Sequence, residues 1–284
     1  MDNILDIRGL CKSFKSFALQ DLTFSLPRGY IMGFIGPNGS GKTTTLKLIM
    51  NLLRPDAGEI RIFEQDHIAF EREVKQRIGF VYDESVFYEQ LSIEHMTSLI
   101  RPFYRQWNQP LYEDYIRRFD LNPRQKIKTL SKGMRTKYAL ALALSHGAEL
   151  LIMDEPTAGL DPVFRREMLD ILLEVMQREE NSILFSTHIT SDLDRVADYI
   201  TFIHKGQLVL SQEKDALYEQ YTLVKGGRDD LTDSLRRELV GVSVNEHGFE
   251  GLADHPVRGD GLVLEKPTLE DIMYFHTKGE QHGR

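Results

Sequence analysis

Apolar and polar positions alternate through the first part of the chain. Leu22, Phe24 and Leu26 alternate with Thr23 and Ser25, the period-two pattern of a half-buried strand. Three strand-like runs follow from this reading: Ile4–Ile7, Ala18–Leu26 and Tyr30–Ile35, the last apolar enough to be buried on both faces. Pro27-Arg28-Gly29 supplies the turn before that third run. From Thr43 to Leu53 the apolar residues fall mostly at helical spacing and predict a helix. Arg54–Gly58 reads as a turn, Glu59–Phe63 as a short strand, and Arg77–Tyr82 as another strand that ends at Asp83-Glu84.

Between about 85 and 149 strand signals vanish and helical spacing takes over. Ile93, Met96, Leu99 and Ile100 share one face, as do Tyr112, Tyr115, Ile116 and Phe119. Core-type strands return at Glu149–Asp154 and Ser182–Thr187, with a helix over roughly 163–178 between them. Such βαβ alternation predicts parallel strands with right-handed crossovers. Tyr199–Ile203 and Gln207–Leu210, joined by His204-Lys205-Gly206, predict a hairpin. The tail is charged and carries Gly226-Gly227. It predicts a helix at Leu231–Leu239, a strand at Gly261–Leu264 and a final helix from Pro267 that Thr268 can cap. The expected organisation is an α/β core with an antiparallel β layer at 1–84 and 150–215, a helical subdomain at 85–149, and a C-terminal extension at 216–284 that serves dimerisation or regulation.

Chemistry enters at Gly36-Pro37-Asn38-Gly39-Ser40-Gly41-Lys42-Thr43-Thr44. It fits Gly-x-x-x-x-Gly-Lys-Thr, a phosphate-binding loop, and lies between a predicted buried strand and a predicted helix, as that loop requires. Glycines let the backbone turn its N–H groups toward a polyphosphate, and the helix N-terminus adds favourable potential for an anion. Lys42 can reach the β- and γ-phosphates, and the Thr43 hydroxyl can ligate Mg²⁺. The apolar strand Leu150–Met153 ends in Asp154 and Glu155. Asp154 can hold Mg²⁺ through water, and Glu155 can polarise the water that attacks a γ-phosphate. Leu130-Ser131-Lys132-Gly133-Met134 precedes a strong helix former, with Ser131 as its N-cap.

The 284 residues are 41% hydrophobic and 27% charged, with a net charge of −8. That acidity argues against nucleic acid as the main partner. Cys11 is the single cysteine, so no intrachain disulfide can form, as suits a reducing compartment; beside a strand it reads as a small core residue. No basic start followed by an apolar run is present, and no segment approaches the ~20 apolar residues that cross a bilayer. Work at a membrane would therefore need spans from another polypeptide.

The order of Gly36–Thr44, Leu130–Met134, Leu151–Glu155, Ala158-Gly159-Leu160-Asp161 and His188 resembles the ATP-binding subunit of an ABC transporter, from about residue 4 to 215. The resemblance implies a P-loop NTPase (RecA-like) core with a helical subdomain. It also implies two such subunits clasping two ATP head to tail with Mg²⁺, and a separate transmembrane permease subunit. Two copies of this chain or a pair of different cassettes both fit. Carried over by position, Phe14 stacks on adenine, or is simply a core phenylalanine. Gly36 to Thr44 bind phosphate, and Thr43 and Asp154 hold the metal. Ser131 and Gly133 meet the partner's γ-phosphate. Asp161 is the inter-subunit aspartate and equally an N-cap with Pro162 behind it. Glu155 is the base, and His188 contacts the γ-phosphate and orders water.

Two departures stand out. Where the family carries glutamine after the strand at 78–82, this chain has Asp83, whose carboxylate can also reach the ion through water. In the Leu-Ser-Gly-Gly-Gln signature, Lys132 and Met134 replace the second glycine and the glutamine. Methionine cannot donate the lost hydrogen bonds, and Lys132 either adds positive charge near the γ-phosphate or is a solvated lysine. The variant signature and Tyr82-Asp83-Glu84 are similar to a bacterial exporter subgroup that moves lantibiotic-like, antimicrobial or amphipathic peptides such as phenol-soluble modulins. The expected location is the cytoplasmic face of the membrane, peripherally bound. A non-transport ABC ATPase of translation or repair is the competing class, disfavoured by a single cassette without heptads. A switch GTPase is excluded by the lack of an Asn-Lys-x-Asp segment.

Overall fold

In a computed structural model, which describes residues 2–82, 86–178, 180–259 and 261–279, the chain begins as two long antiparallel strands. β1 (Asn3–Ser13) pairs with β2 (Ala18–Pro27), Ile7 opposite Phe24 and Leu10 opposite Leu22. The alternation seen in Leu22, Phe24 and Leu26 is the buried face of β2. β1 runs well beyond the expected Ile7. The register shifts between Ile7 and Leu10, where Gly9 takes φ +59°, and pairing resumes after this bulge. Cys11 lies in that bulged end and is half-buried, not a core residue, with its sulphur accepting from the Asp21 amide at 3.3 Å.

β3 (Ile31–Ile35) is buried throughout and leads through the 36–41 loop into α1 (Lys42–Ile49). α1 stops short of the expected Leu53. Asn51 takes φ +50°, and the Leu52 and Leu53 amides turn back to the Lys47 carbonyl, a left-handed helix end that overrides the continuing apolar spacing. β4 (Ala57–Ile62) and the short β5 (Gln65–Asp66) complete a four-stranded layer in the order β2-β1-β4-β5. After α2 (Glu71–Gln76) comes β6 (Ile78–Val81). Asp83 lies outside the described residues.

The insertion contains α3 (Ile93–Ile100), α4 (Gln109–Arg118) and α5 (Lys132–Leu144). Ser92, Asn108 and Ser131 cap them through their side chains, which ties each start to a local polar residue. Ile93 and Met96 face inward as expected, whereas Leu99 is 49% exposed. Its place on the inner face is taken by Thr97. That hydroxyl sits 2.7 Å from the Tyr112 hydroxyl, 2.9 Å from the Tyr138 hydroxyl and 2.9 Å from the Ile93 carbonyl, so a buried polar cluster and not a leucine joins the three helices.

β7 (Leu150–Asp154), α6 (Pro162–Val175), β8 (Ser182–Thr187), α7 (Thr190–Val196) and β9 (Tyr199–His204) return the chain to the core. Lys205 and Gly206, both at positive φ, turn it into β10 (Gln207–Glu213). The central sheet has the order β10-β9-β3-β8-β7-β6, and β6, β7, β8, β3 and β9 pair in parallel.

The chain divides into two compact units between Leu208 and Val209, inside β10. The second unit continues with α8 (Lys214–Gln220), β11 (Thr222–Gly226), α9 (Asp233–Glu238), β12 (Gly241–Val244), β13 (Phe249–Ala253), β14 (Val263–Glu265) and α10 (Leu269–Gly279). Its antiparallel sheet, order β12-β13-β11-β14, carries a small core that includes Val224, Leu235, Leu239 and Phe249. The expected tail of two helices and one strand missed β11, β12 and β13, which are four or five residues long and each contain a glycine. Thr268 does cap α10, taking the Asp271 amide at 3.1 Å while Asp271 takes the Thr268 amide at 2.8 Å.

His146, just after α5, is buried and stacks on Tyr104 at 3.8 Å between ring centres. Burial pushes its pKa from the ordinary 6.5 down to about 4. The unfolded chain therefore takes up this proton first as pH falls. Stability declines between about pH 6.5 and 4 and the loss is complete below that, worth about 3 kcal/mol. His146→Phe, which keeps the ring stack, is expected to flatten the fall of melting temperature between pH 7 and 4. Parallel melting curves for the two proteins across that range would contradict the assignment.

Candidate active site

The site is built where β3, β8 and β7 end side by side. Ile35 is paired with Thr187, and Asp154 with Ser186, so the residues that follow each strand emerge at one edge. These are Gly36, His188 and Glu155.

The 36–41 loop is forced by close packing. A Cβ on Gly36 would lie 2.3 Å from the Ile203 carbonyl oxygen and 2.6 Å from Ser40 Oγ. Gly41 has φ +113°, and a Cβ there would meet Leu19 at 2.5 Å and the Phe17 ring at 2.9 Å. Gly39 has φ +78° with open space around it. The Gly206 amide donates to the Ser40 carbonyl at 2.9 Å, which ties the loop to the β9–β10 turn. Lys42 opens α1, is 6% exposed, and donates to the Gly36 carbonyl at 2.7 Å and the Pro37 carbonyl at 3.4 Å. Thr43 and Thr44 follow on the first turn, half-buried, and Asn38 is exposed.

Asp154 is 1% exposed, and its Oδ1 accepts from Ser186 Oγ at 2.6 Å. Glu155 takes φ +46°, a conformation that costs a non-glycine residue about 1–2 kcal/mol. Its amide is held by the Ser186 carbonyl at 3.1 Å. The result is a carboxylate shared between two cations or donors: Oε1 is 3.2 Å from Lys42 Nζ and Oε2 is 2.8 Å from His188 Nδ1. Glu155 is 14% exposed and His188 47%. The ring edge thus remains open to solvent while the carboxylate is enclosed.

Of the other predicted residues, Phe14 is 45% exposed and stacks loosely on Phe17, whose ring packs on the Gly41 position. An exposed aromatic beside the loop is available to a flat ligand, and the core alternative for Phe14 falls away. Asp161 is the N-cap of α6, its Oδ1 accepting from the Val163 and Phe164 amides at 3.1 and 3.0 Å, with Pro162 at the first helical position. Ser131 and Gly133 are not gathered around Lys42 by the core strands. They open α5, and a Cβ on Gly133 would meet Leu160 and Phe164 at 3.6 and 3.8 Å. The Lys132 stem lies 3.7 Å from the Gly159 Cβ position. Ser186 is a residue that sequence reasoning passed over. Its only signal was a hydroxyl at the end of an apolar strand, two positions before His188.

Beside this edge is a cavity of about 480 Å³, lined by Phe80, Phe87, Ile100, Tyr104, Leu130 and His146, with Lys132 and Arg135 on its wall. It lies between β6 and the helices of the insertion.

Comparison with known proteins accounts for the pattern. Residues 19–158 match the family model described as ABC transporter. The lantibiotic transport ATP-binding protein SrtF of Streptococcus pyogenes is 32% identical over 217 residues, 75% of this chain and 92% of that protein. The chain belongs to the ABC transporter ATP-binding family. Bacitracin transport ATP-binding protein BcrA of Bacillus licheniformis is 29% identical over 93% of this chain and 85% of its own length. A solved ATP-binding subunit of an ABC transporter superposes with a TM-score of 0.70 at 28% identity, over 76% of this chain and 92% of that one. This ABC protein is an ATPase with a P-loop NTPase fold and binds ATP. ABC ATPase subunits of transporters pair with membrane subunits and with one another. Among the described residues no helix is long and apolar enough to cross a membrane.

The loop glycines make a graded expectation. Gly36→Ala should weaken ATP binding by more than about tenfold, because backbone and hydroxyl block the new methyl. Gly39→Ala meets open space, so the strain of its positive φ, about 1–2 kcal/mol, should appear as lost folding stability, with ATP affinity lowered by less than about threefold. Titration with a fluorescent ATP analogue checks both, and equal losses would contradict this account of the loop.

Proposed function

We propose that this subunit powers export of an amphipathic or antimicrobial peptide through a separate transmembrane permease, docked on the cytoplasmic face of the membrane. The observation that carries the catalytic part is the enclosed Glu155 carboxylate, held between Lys42 and His188 at the end of a parallel sheet. A carboxylate so placed beside a phosphate-binding loop is suited to take a proton from a water attacking the γ-phosphate. His188, on the open side, is suited to hold that water or the γ-phosphate oxygen. Lys42 is suited to balance charge on the β- and γ-phosphates once ATP draws it from Glu155. Phe14 would stack on adenine, and the amides of residues 36–44 would cradle the phosphates.

The donor set also suits Mg²⁺. The Thr43 hydroxyl and the Asp154 carboxylate are hard oxygen ligands, Asp154 is fixed by Ser186, and Mg²⁺ is commonly held by one or two carboxylates plus substrate phosphates. Asp83 would join them through water. When bound, the ion supplies charge neutralisation to the phosphates.

The proposed working unit is two ATP-binding subunits head to tail, preferably two copies of this chain, with Ser131 and Gly133 of each facing the nucleotide on the other and Asp161 at their boundary. The start of α5 is well placed for an anion: its N-terminal amides carry favourable potential, and Ser131 and Gly133 are not enclosed. The apolar cavity beside β6 is the proposed seat for a helix of the permease. Support for the peptide class is the likeness to lantibiotic and bacitracin transport proteins. We assign residues 216–284 to dimerisation or regulation.

Glu155→Gln should bind ATP, lose turnover by at least about a hundredfold and accumulate as an ATP-bound dimer on size exclusion. Full turnover in that variant would remove Glu155 as the base. The full-length chain should also co-purify from detergent-solubilised membranes with a polytopic protein, and recovery without one would count against the transporter assignment.

A further inference from the structure

Asp192 has no part in the site as described, yet its placement is hard to explain otherwise. It lies in the first turn of α7, four residues after His188, and is 1% exposed. Its two oxygens are divided between two other segments. Oδ2 accepts from Thr157 Oγ1 at 2.6 Å, and Oδ1 accepts from Arg165 Nε at 2.7 Å. Thr157 is itself 1% exposed and stands two residues after Glu155. Arg165 stands on α6, four residues after the Asp161 cap, and its terminal nitrogen also reaches Ser191 Oγ at 2.8 Å. One buried carboxylate thus joins the segment after Glu155, the start of α6 and the segment after His188.

A buried charge persists only where its partners are fixed, so these three segments are held in one arrangement. That matters because His188 stands at the start of this anchored segment. Its ring is 47% exposed, and its turn is supported by the Ile189 amide on Thr187 Oγ1 at 3.0 Å, the Asp192 amide on the Ile189 carbonyl at 3.3 Å, the buried Leu193 and Val196 of α7, and the side-chain anchors of Asp192. Glu155 likewise sits on a left-handed residue followed by a turn, with the Ala158 amide on the Glu155 carbonyl and the Leu160 amide on the Thr157 carbonyl. The β7–β8 pairing and the Glu155 amide on the Ser186 carbonyl bring the two turns together, and the Asp192 strut adds a tie behind the 2.8 Å contact of Glu155 with His188.

We propose that Asp192 is a positioning residue for ATP hydrolysis, holding the His188 turn against the Glu155 turn through Thr157 and Arg165. The proposal rests on the roles given above to Glu155 and His188. It assigns Asp192 no contact with nucleotide, so the predicted defect is in the rate of hydrolysis and not in ATP binding.

The test is steady-state ATP hydrolysis by the full-length chain, with melting temperatures measured in parallel. Thr157→Val removes one hydroxyl without changing shape, and Asp192→Ala removes the strut. Each should lower kcat by about tenfold or more, as small misplacements of reacting groups do, with KM for ATP changed by less than about twofold. Combining the two should cost no more than Asp192→Ala alone, and Asp192→Ala should cost nothing further in a His188→Ala background. Asp192→Asn, which can accept from Arg165 and donate to Thr157, should recover most of the rate. Normal kcat in a folded Thr157→Val protein would overturn the proposal even if Asp192→Ala fails to fold. So would a parallel rise in KM, or additive penalties of Asp192→Ala and His188→Ala; these outcomes leave the reading of His188 intact. Wild-type turnover in His188→Ala would instead overturn that reading and this proposal together.

Discussion

The parallel pairing of β8 between β3 and β7 is the constraint on which the site depends. Parallel neighbours put all their carboxyl ends on one edge, and register decides which residues emerge together. Here Ile35 stands beside Thr187 and Ser186 beside Asp154. A slip of one residue in either pairing would turn alternate side chains to the opposite face of the sheet. A slip of β7 on β8 would part Glu155 from both Lys42 and His188, and a slip of β3 on β8 would part Lys42 from Glu155. The strands are buried on both faces, so their side chains pack against both layers that cover the sheet.

Within that frame, Glu155 carries the local strain. Its positive φ is unfavourable for a residue with a side chain, and a glutamate there is retained against a preference for glycine. The bond from its amide to Ser186 and the contacts of its two oxygens with Lys42 and His188 offset that cost. The same contacts place the Lys42 ammonium between the Glu155 carboxylate, which balances its charge, and the Gly36 carbonyl, which accepts a hydrogen bond from it. On the roles proposed for these residues, a triphosphate bound to Lys42 would compete with Glu155 for it, and nucleotide binding and release of one carboxylate oxygen would be coupled through one ammonium group.

Much of this was legible in the sequence because its signals are local. The 36–44 loop, the apolar strand ending in Asp154-Glu155, the Ser131 cap and the Asp161-Pro162 helix start each declare themselves within a few residues. Where local pattern and geometry conflicted, the reading failed for physical reasons. The apolar spacing past Ile49 continues, but Asn51 reverses the backbone; Leu99 has the right period, but Thr97 supplies the inward group through hydrogen bonds with two tyrosines. The tail's strands are too short and too interrupted by glycine for periodicity to show. Asp192 is one of two acids on a short helix, and its partners lie 35 and 27 positions away, so nothing near it in the chain announced them.

The insertion meets the core at the start of α5. Gly133 is seated over Leu160 and Phe164, and the Lys132 stem runs past Gly159. The start of α5 thus rests on the same 157–164 stretch that Thr157 and Asp161 anchor. Lys132 is placed there by its aliphatic stem, so its departure from the family glycine brings packing with the 158–161 turn as well as charge. Lys132 and Leu130 also line the cavity beside β6, so a helix seated there would press on the same turn from the other side. Residues 159–164 and the start of α5 are thus joined by side-chain contacts over a few ångströms, separately from the strands of the central sheet.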